Sequence, residues 1–138
     1  MIIDDGLELL TESECQRLLA SNDFGRVGLS IGGLPAIIPV NYCFLDGDVV
    51  FRTGPGLKLA AAADGEVVAF EVDDHHPADR SGWSVLVVGR AEVSEDAALV
   101  ARLEAARFAP SADGDRSAVV RVVPAFVSGR RLVHVSAP

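Results

Sequence analysis

Apolar and polar residues change their spacing several times along this chain, and each change marks an element. Thr11 begins a capping box with Glu14 three positions later, and Cys15, Leu18 and Leu19 then recur on one helical face. That spacing predicts a first helix over residues 12 to 20. Alternation takes over from Gly25 to Ile31 and again from Ala36 to Leu45, with Gly32 and Gly33 between them, which is the pattern of a β-hairpin. Asp46 and Gly47 signal a second hairpin turn, with Asp48 to Thr53 as the third strand. Gly54, Pro55 and Gly56 stop this strand, and the alanine-rich run Leu57 to Ala63 predicts a short helix ended by Asp64 and Gly65.

Glu66 to Val72 predicts a fourth strand, the polar stretch Asp73 to Ser81 a loop, and Trp83 to Val93 a long fifth strand. Ser94 is placed to cap a helix running from about Glu95 to Phe108. After a loop from Ala109 to Arg116, strands are expected at Ala118 to Val123 and Phe126 to Val135, the latter with a turn or bulge at Gly129. The sum is a mainly β protein of six to seven antiparallel strands with three short helices. Closure is how such sheets remove their edges, so a closed or partly split β-barrel is the expected architecture. No repeat, low-complexity tract or linker divides the chain, and residues 1–138 read as a single domain.

Composition adds a partner and removes others. A hydrophobic fraction of 49% is high for so small a domain and predicts apolar surface covered by a second copy. A net charge of −8 opposes a phosphate-backbone partner, so nucleic acid is not expected. No apolar run is long enough to span a bilayer, and the amino terminus lacks a basic segment followed by an apolar one, which together point to no membrane and a cytoplasmic protein. Cys15 and Cys43 fall on a predicted helix and a predicted strand without CxxC spacing, as structural cysteines do.

Three segments carry candidate chemistry. Lys58 is the one lysine among twelve basic residues, and it follows Arg52 and Thr53 across the Gly54-Pro55-Gly56 turn. A compact ammonium, a guanidinium and a hydroxyl at a strand-to-helix corner, with the free amides of Gly56 and Leu57 nearby, form either a monophosphate site or a solvated corner. The spacing is not that of a GxxxxGK[ST] loop, so nucleotide hydrolysis has no support. In the second segment, Pro39 removes a ladder donor beside Val40 and Asn41, implying an edge or a gap in pairing where a flat heteroaromatic ring with a polar edge would fit; an ordinary edge strand is the alternative. The third pairs Trp83 and Ser84 at the start of the long strand, where the tryptophan either packs on a ligand ring or anchors a core or interface. Asp73, Asp74, His75 and His76 are adjacent but lack partners for a metal site, and His134 reads as a packed histidine.

The order of these motifs resembles the pyridoxamine 5′-phosphate oxidase-like family of flavin-binding split barrels, in its short single-domain branch. The resemblance runs through Gly25-Arg26-Val27-Gly28, Pro35 to Tyr42, Phe51-Arg52-Thr53, Lys58-Leu59, Val68 to Asp73, Gly82 to Val85 and Gly89-Arg90-Ala91. It implies an oxidoreductase acting on a small molecule, as a homodimer with FMN at the subunit interface. Arg52, Thr53 and Lys58 would hold the phosphate, and Pro39, Val40 and Asn41 would line the isoalloxazine ring. Trp83 and Ser84 would reach the cofactor from the same or the other subunit. The ending Gly129-Arg130-Arg131-Leu132-Val133-His134-Val135 only loosely matches the family's substrate-binding segment, which argues against vitamin B6 as substrate. A branch of the same fold uses the deazaflavin F420, whose polyanionic tail would favour more basic residues. A flavin-binding dimer without turnover is the remaining alternative.

Overall fold

The computed structural model describes residues 2–3, 7–105 and 118–132. In chain order the elements are β1 (Ile2–Ile3), β2 (Leu7–Leu9), α1 (Glu12–Ala20), β3 (Phe24–Ile31), β4 (Leu34–Asn41), β5 (Cys43–Leu45), β6 (Asp48–Thr53), α2 (Leu57–Ala63), β7 (Val67–His76), β8 (Ser81–Ser94), α3 (Ala97–Ala105) and β9 (Ala118–Leu132). The local signals act as expected in the first half. The Glu14 amide donates to Thr11 Oγ1 and the Thr11 amide to Glu14 Oε1, both at 3.1 Å, closing the capping box of α1. Positive φ at Gly32 and Gly33, and at Asp46 and Gly47, gives both hairpins the turn twist that matches their strands.

Every ladder among the nine described strands is antiparallel, and together they curl into a barrel that stays open along one seam. Hydrogen bonding runs from β4 to β3, β7, β8, β9, β6 and β5, and β5 continues β4 after a break at Tyr42 alone. Tyr42 itself is firmly held. The Tyr42 amide donates sideways to the Asp23 carbonyl at 2.9 Å, and its buried hydroxyl donates to the Leu19 carbonyl at 2.7 Å. Its ring meets Phe70 edge-on with centroids 4.6 Å apart. Beyond that point β4 and β6 lie side by side without a ladder, and this seam is the split in the barrel. Leu19, Val27, Phe51, Phe70, Val85 and Val87 fill the interior, while α3 caps a smaller cluster of Val50, Leu99, Leu103 and Val119.

The structure corrects several expectations. Residues 36 to 45 fall in two strands parted at Tyr42, because β4 pairs with β3 and β5 with β6. Asp73 to His76 is strand, not loop: it pairs with Ser81 to Ser84, and satisfied ladder bonds outweigh the polarity of the side chains. The turn is confined to residues 77–80. Ala118 to Leu132 is one strand, and its irregularity lies opposite Val88 and Gly89, beside Pro124, which has no amide to donate. Gly129 is neither turn nor bulge. It is buried under α1, where a Cβ would come within 2.6 Å of Cys15 Sγ. Asp96, rather than Ser94, caps α3, accepting from the Ala98 amide at 2.9 Å. The short β1 and β2 were not expected; β2 pairs with the end of β9. The expected helix end at Phe108, the loop from Ala109 to Arg116, and His134 lie outside the described residues.

Candidate phosphate-binding site at the barrel seam

The seam brings together the two segments that the sequence separates by a hairpin. The β5–β6 ladder pairs Leu45 with Asp48, Phe44 with Val49 and Cys43 with Val50, then stops. β4 ends at Val40 and Asn41 and β6 at Arg52 and Thr53, and the two strands are neighbours at the seam without a ladder. On its other edge β6 is held by β9, with Arg52 opposite Val119 and Thr53 opposite Ala118. Pro39, facing Arg26 of β3, sits on a strand whose second edge has no partner among the described strands.

After Thr53 the chain turns through Gly54 to Gly56 into α2, and Lys58 folds back so that its Nζ lies 5.9 Å from the Phe51 ring centroid. Gly56, at φ +148°, caps α2 without a side-chain hydrogen bond. With only seven residues α2 contributes little dipole, so the pull on an anion comes from side chains. Leu57 stays exposed at the rim. Thr53 is buried, and its hydroxyl donates to the Gly54 carbonyl at 3.1 Å while its oxygen remains free to accept. Burial pushes the Lys58 ammonium below its ordinary value.

The electrostatics single this corner out. Among the described residues four cationic side chains are partly buried: Arg52, Lys58, Arg121 and Arg131. Arg121 is paired with Asp48 and Glu92, and Arg131 with Glu8 and Glu14. Arg52 and Lys58 have no carboxylate partner among the described residues, in a chain that carries 20 acidic residues. Arg52 Nε, like Arg121 Nε and Ser128 Oγ, is buried without a hydrogen-bond partner, but Arg121 has carboxylates beside it and Arg52 has none among the described residues. A partly desolvated charge left unpaired costs free energy unless a counter-charge arrives from outside. Two such cations and a buried hydroxyl between Arg52 and Lys58 are the donor types that a phosphate dianion takes, and the buried Arg52 Nε is the kind of orphan that a bound anion would satisfy.

Trp83 and Ser84 lie elsewhere. They pair with Arg131 and Arg130 at one end of β9, whereas Arg52 pairs with Val119 at the other, opposite Ser94 of β8. The ten residues from Ser84 to Ser94 span roughly 30 Å of strand. Trp83 packs against this protomer's own core. Ser84 belongs to the outward side of β8, far from the Arg52 corner of its own chain.

Asp74 and His76 form a 3.5 Å contact on the ribbon end of β7, and no group of three or more metal-ligating side chains converges among the described residues. No helix of the described residues is long and apolar enough to cross a membrane. The sequence reading missed a cluster on β3 and β7. Arg26 Nη1 lies 3.2 Å from Glu71 Oε1 and 3.3 Å from Asp73 Oδ2. Glu71 and Asp73 at alternate positions of β7, with Arg26 on the neighbouring strand, were its available signal.

Comparison with known proteins agrees with this architecture. An uncharacterized Mycobacterium tuberculosis protein, Rv0080, is 43% identical over 129 residues, covering 90% of this chain and 84% of its own. The structure of the FAD binding protein from Mycobacterium smegmatis superposes with a TM-score of 0.75 at 36% identity, covering 91% of this chain and all of the other. A FAD-binding protein from Mesorhizobium loti gives a TM-score of 0.74 at 26% identity, with 92% and 99% covered. The family model for pyridoxamine 5′-phosphate oxidase matches residues 11–131. That match spans the seam, the Arg52 to Lys58 corner and all of the barrel strands from β3 to β8, and on it this chain belongs to the pyridoxamine 5′-phosphate oxidase family.

Proposed function

We propose that this protein binds a flavin nucleotide at the seam and serves as a flavin-dependent oxidoreductase for a small molecule, as a homodimer. Arg52, Thr53 and Lys58 hold the 5′-phosphate, and Pro39, Val40 and Asn41 flank the ring at the unpaired edge of β4. The observation that carries this reading is the pair of partly buried cations, Arg52 and Lys58, without carboxylates. The flavin-binding relatives at 36% and 26% identity support it. When bound, the flavin supplies hydride or electron transfer, so the chain needs no acid–base dyad of its own. Its residues neutralise the phosphate, offer Asn41 to the polar ring edge and keep water from one ring face. FMN is the simplest occupant. FAD would set its first phosphate on the same cations and lead the second out over Gly54 and Gly56, where nothing lies within 4 Å of an added Cβ. F420, with its longer anionic tail, would want further unpaired cations beside Arg52 and Lys58.

The absorption spectrum of the purified protein, followed by identification of the released chromophore, tests the reading. Bound oxidised flavin released as FMN or FAD is the expected result. A protein that takes up neither, even after incubation with each, overturns it. Bound flavin that no nicotinamide donor or substrate reduces would leave the binding role and remove the enzymatic one.

A further inference from the structure

One stretch of the β9 edge has no neighbouring strand. At its start the β6 ladder stops with Val49 opposite Val122, and the chain turns away through Gly47. At its end β2 pairs Leu9 with Arg130, the Leu10 amide donates to the Gly129 carbonyl at 2.9 Å, and the chain then leaves the ladder for α1. Between these points, residues 123–128 pair with β8 alone among the described strands. Backbone groups of successive strand residues point to opposite edges. Val127, two residues before Gly129, therefore turns its N–H and C=O to the vacant edge. A sheet edge left in this state is open to a peptide backbone.

The vacancy is a groove of about 420 Å³, apart from the flavin corner. Arg52 stands five residues along the chain from Gly47, roughly 17 Å of strand away. Leu10, Leu19, Phe44 and Phe126 make the groove wall apolar, and Val127 lies along it. Gly47 and Pro124 stand at one end and Leu10 at the other, so a strand passing straight through would collide with the chain at both ends. A short chain end has room. Glu12 and Gln16, one turn apart on α1, form the polar rim. Glu12 is the one carboxylate in the lining, no cation shares the lining, and it has no ion-pair partner among the described residues. Asp46 and Asp48, which flank Gly47, are instead paired with Arg102 and Arg121.

We infer that this groove binds the amino-terminal end of a short apolar peptide of two or three residues. Its ammonium lies on Glu12, its first amide pairs with the free backbone of Val127, and its first side chain packs against Leu19 and Phe44. Each part of the ligand answers one feature of the groove. Glu12 selects a charged amino terminus over an acetylated one and repels a carboxylate. The apolar wall rejects a charged first side chain, which it would leave desolvated and unpaired. Gln16 adds a donor and an acceptor on the same helix face for the second residue.

Calorimetric titration of the purified protein with leucyl-leucinamide and with its N-acetyl form, with and without saturating FMN, tests the site, and NMR-detected hydrogen exchange of the Val127 amide reads the ladder. Leucyl-leucinamide should bind with a Kd below about 1 mM, and acetylation and Glu12→Gln should each weaken it about tenfold. Exchange of the Val127 amide should slow at least about tenfold at saturation, and FMN should leave the Kd unchanged. No binding up to about 10 mM overturns the inference. Equal affinity for the acetylated peptide, or a wild-type Kd in Glu12→Gln, overturns the ammonium site, and a Val127 amide that does not respond overturns the ladder. Competition with FMN would put the peptide at the seam and overturn the groove while sparing the cofactor reading.

Discussion

Replacing Lys58 by alanine should weaken ligand binding while leaving apo stability nearly unchanged, and that divergence separates a binding residue from a structural one. In the folded apo protein the Lys58 ammonium is partly desolvated, lacks a carboxylate among the described residues, and is offset only by a distant Phe51 ring at 5.9 Å. A cation–π contact of this kind contributes about 0.5–1 kcal/mol, and the relief of an unpaired, partly buried charge is of similar size and opposite sign. The apo melting temperature should therefore change by less than roughly 3 °C. With flavin present, the ammonium makes a charge-assisted hydrogen bond to phosphate worth about 1–3 kcal/mol, so Kd should rise about 5- to 150-fold. Fluorescence titration of FMN into wild-type and Lys58→Ala protein, beside thermal melts of both apo forms, reads the two quantities. The loss should shrink at high salt as the phosphate charge is screened. Unchanged affinity would remove Lys58 from the site. Lost affinity together with an apo melting temperature lower by many degrees would show that the lysine acts through the fold.

Three other outcomes follow from the packing and charges. Tyr42→Phe leaves the Leu19 carbonyl without its buried 2.7 Å donor and should lower stability by about 1–3 kcal/mol in chemical denaturation, with the barrel retained. Gly129→Ala drives a Cβ to within 2.6 Å of Cys15 Sγ and should cost about 1–3 kcal/mol, part of which Cys15→Ala should restore in the double variant. Glu71 has a folded-state value raised from 4.5 to about 7, so the folded state holds the proton longer than the unfolded one. Its contribution to stability is complete below pH 4.5 and is lost as pH rises towards 7, and wild-type stability measured by denaturant should fall across that window more than that of Glu71→Gln.

Where local chemistry decided the outcome, the sequence was readable. The Thr11–Glu14 box, the Gly32-Gly33 and Asp46-Gly47 turns and the bounds of α2 depend on neighbouring residues, and each stands where its residues put it. The Arg52 to Lys58 corner was legible for the same reason. What was hidden depends on partners distant in the chain. Nothing near Tyr42 announces that its hydroxyl will reach Leu19, or that the strand will change partners there from β3 to β6. Asp73 to His76 looks like loop until Ser81 to Ser84 supplies a ladder. Gly129 looks like a bulge until α1 lies on it. Trp83 carries the right residue type for ring stacking, but the register of β8 against β9 sets it far from Arg52 in its own chain.

The central claim is that Arg52 and Lys58 are held unpaired for the phosphate of a flavin nucleotide. Comparing riboflavin with FMN and FAD in titrations of the apo protein tests it most directly, because riboflavin has the same ring and ribityl chain but no phosphate. Tighter binding of FMN and FAD than of riboflavin, by at least about tenfold, with the difference abolished in the Arg52→Met, Lys58→Met double variant, is the result the account predicts. Equal affinity for all three in the wild-type protein would contradict it.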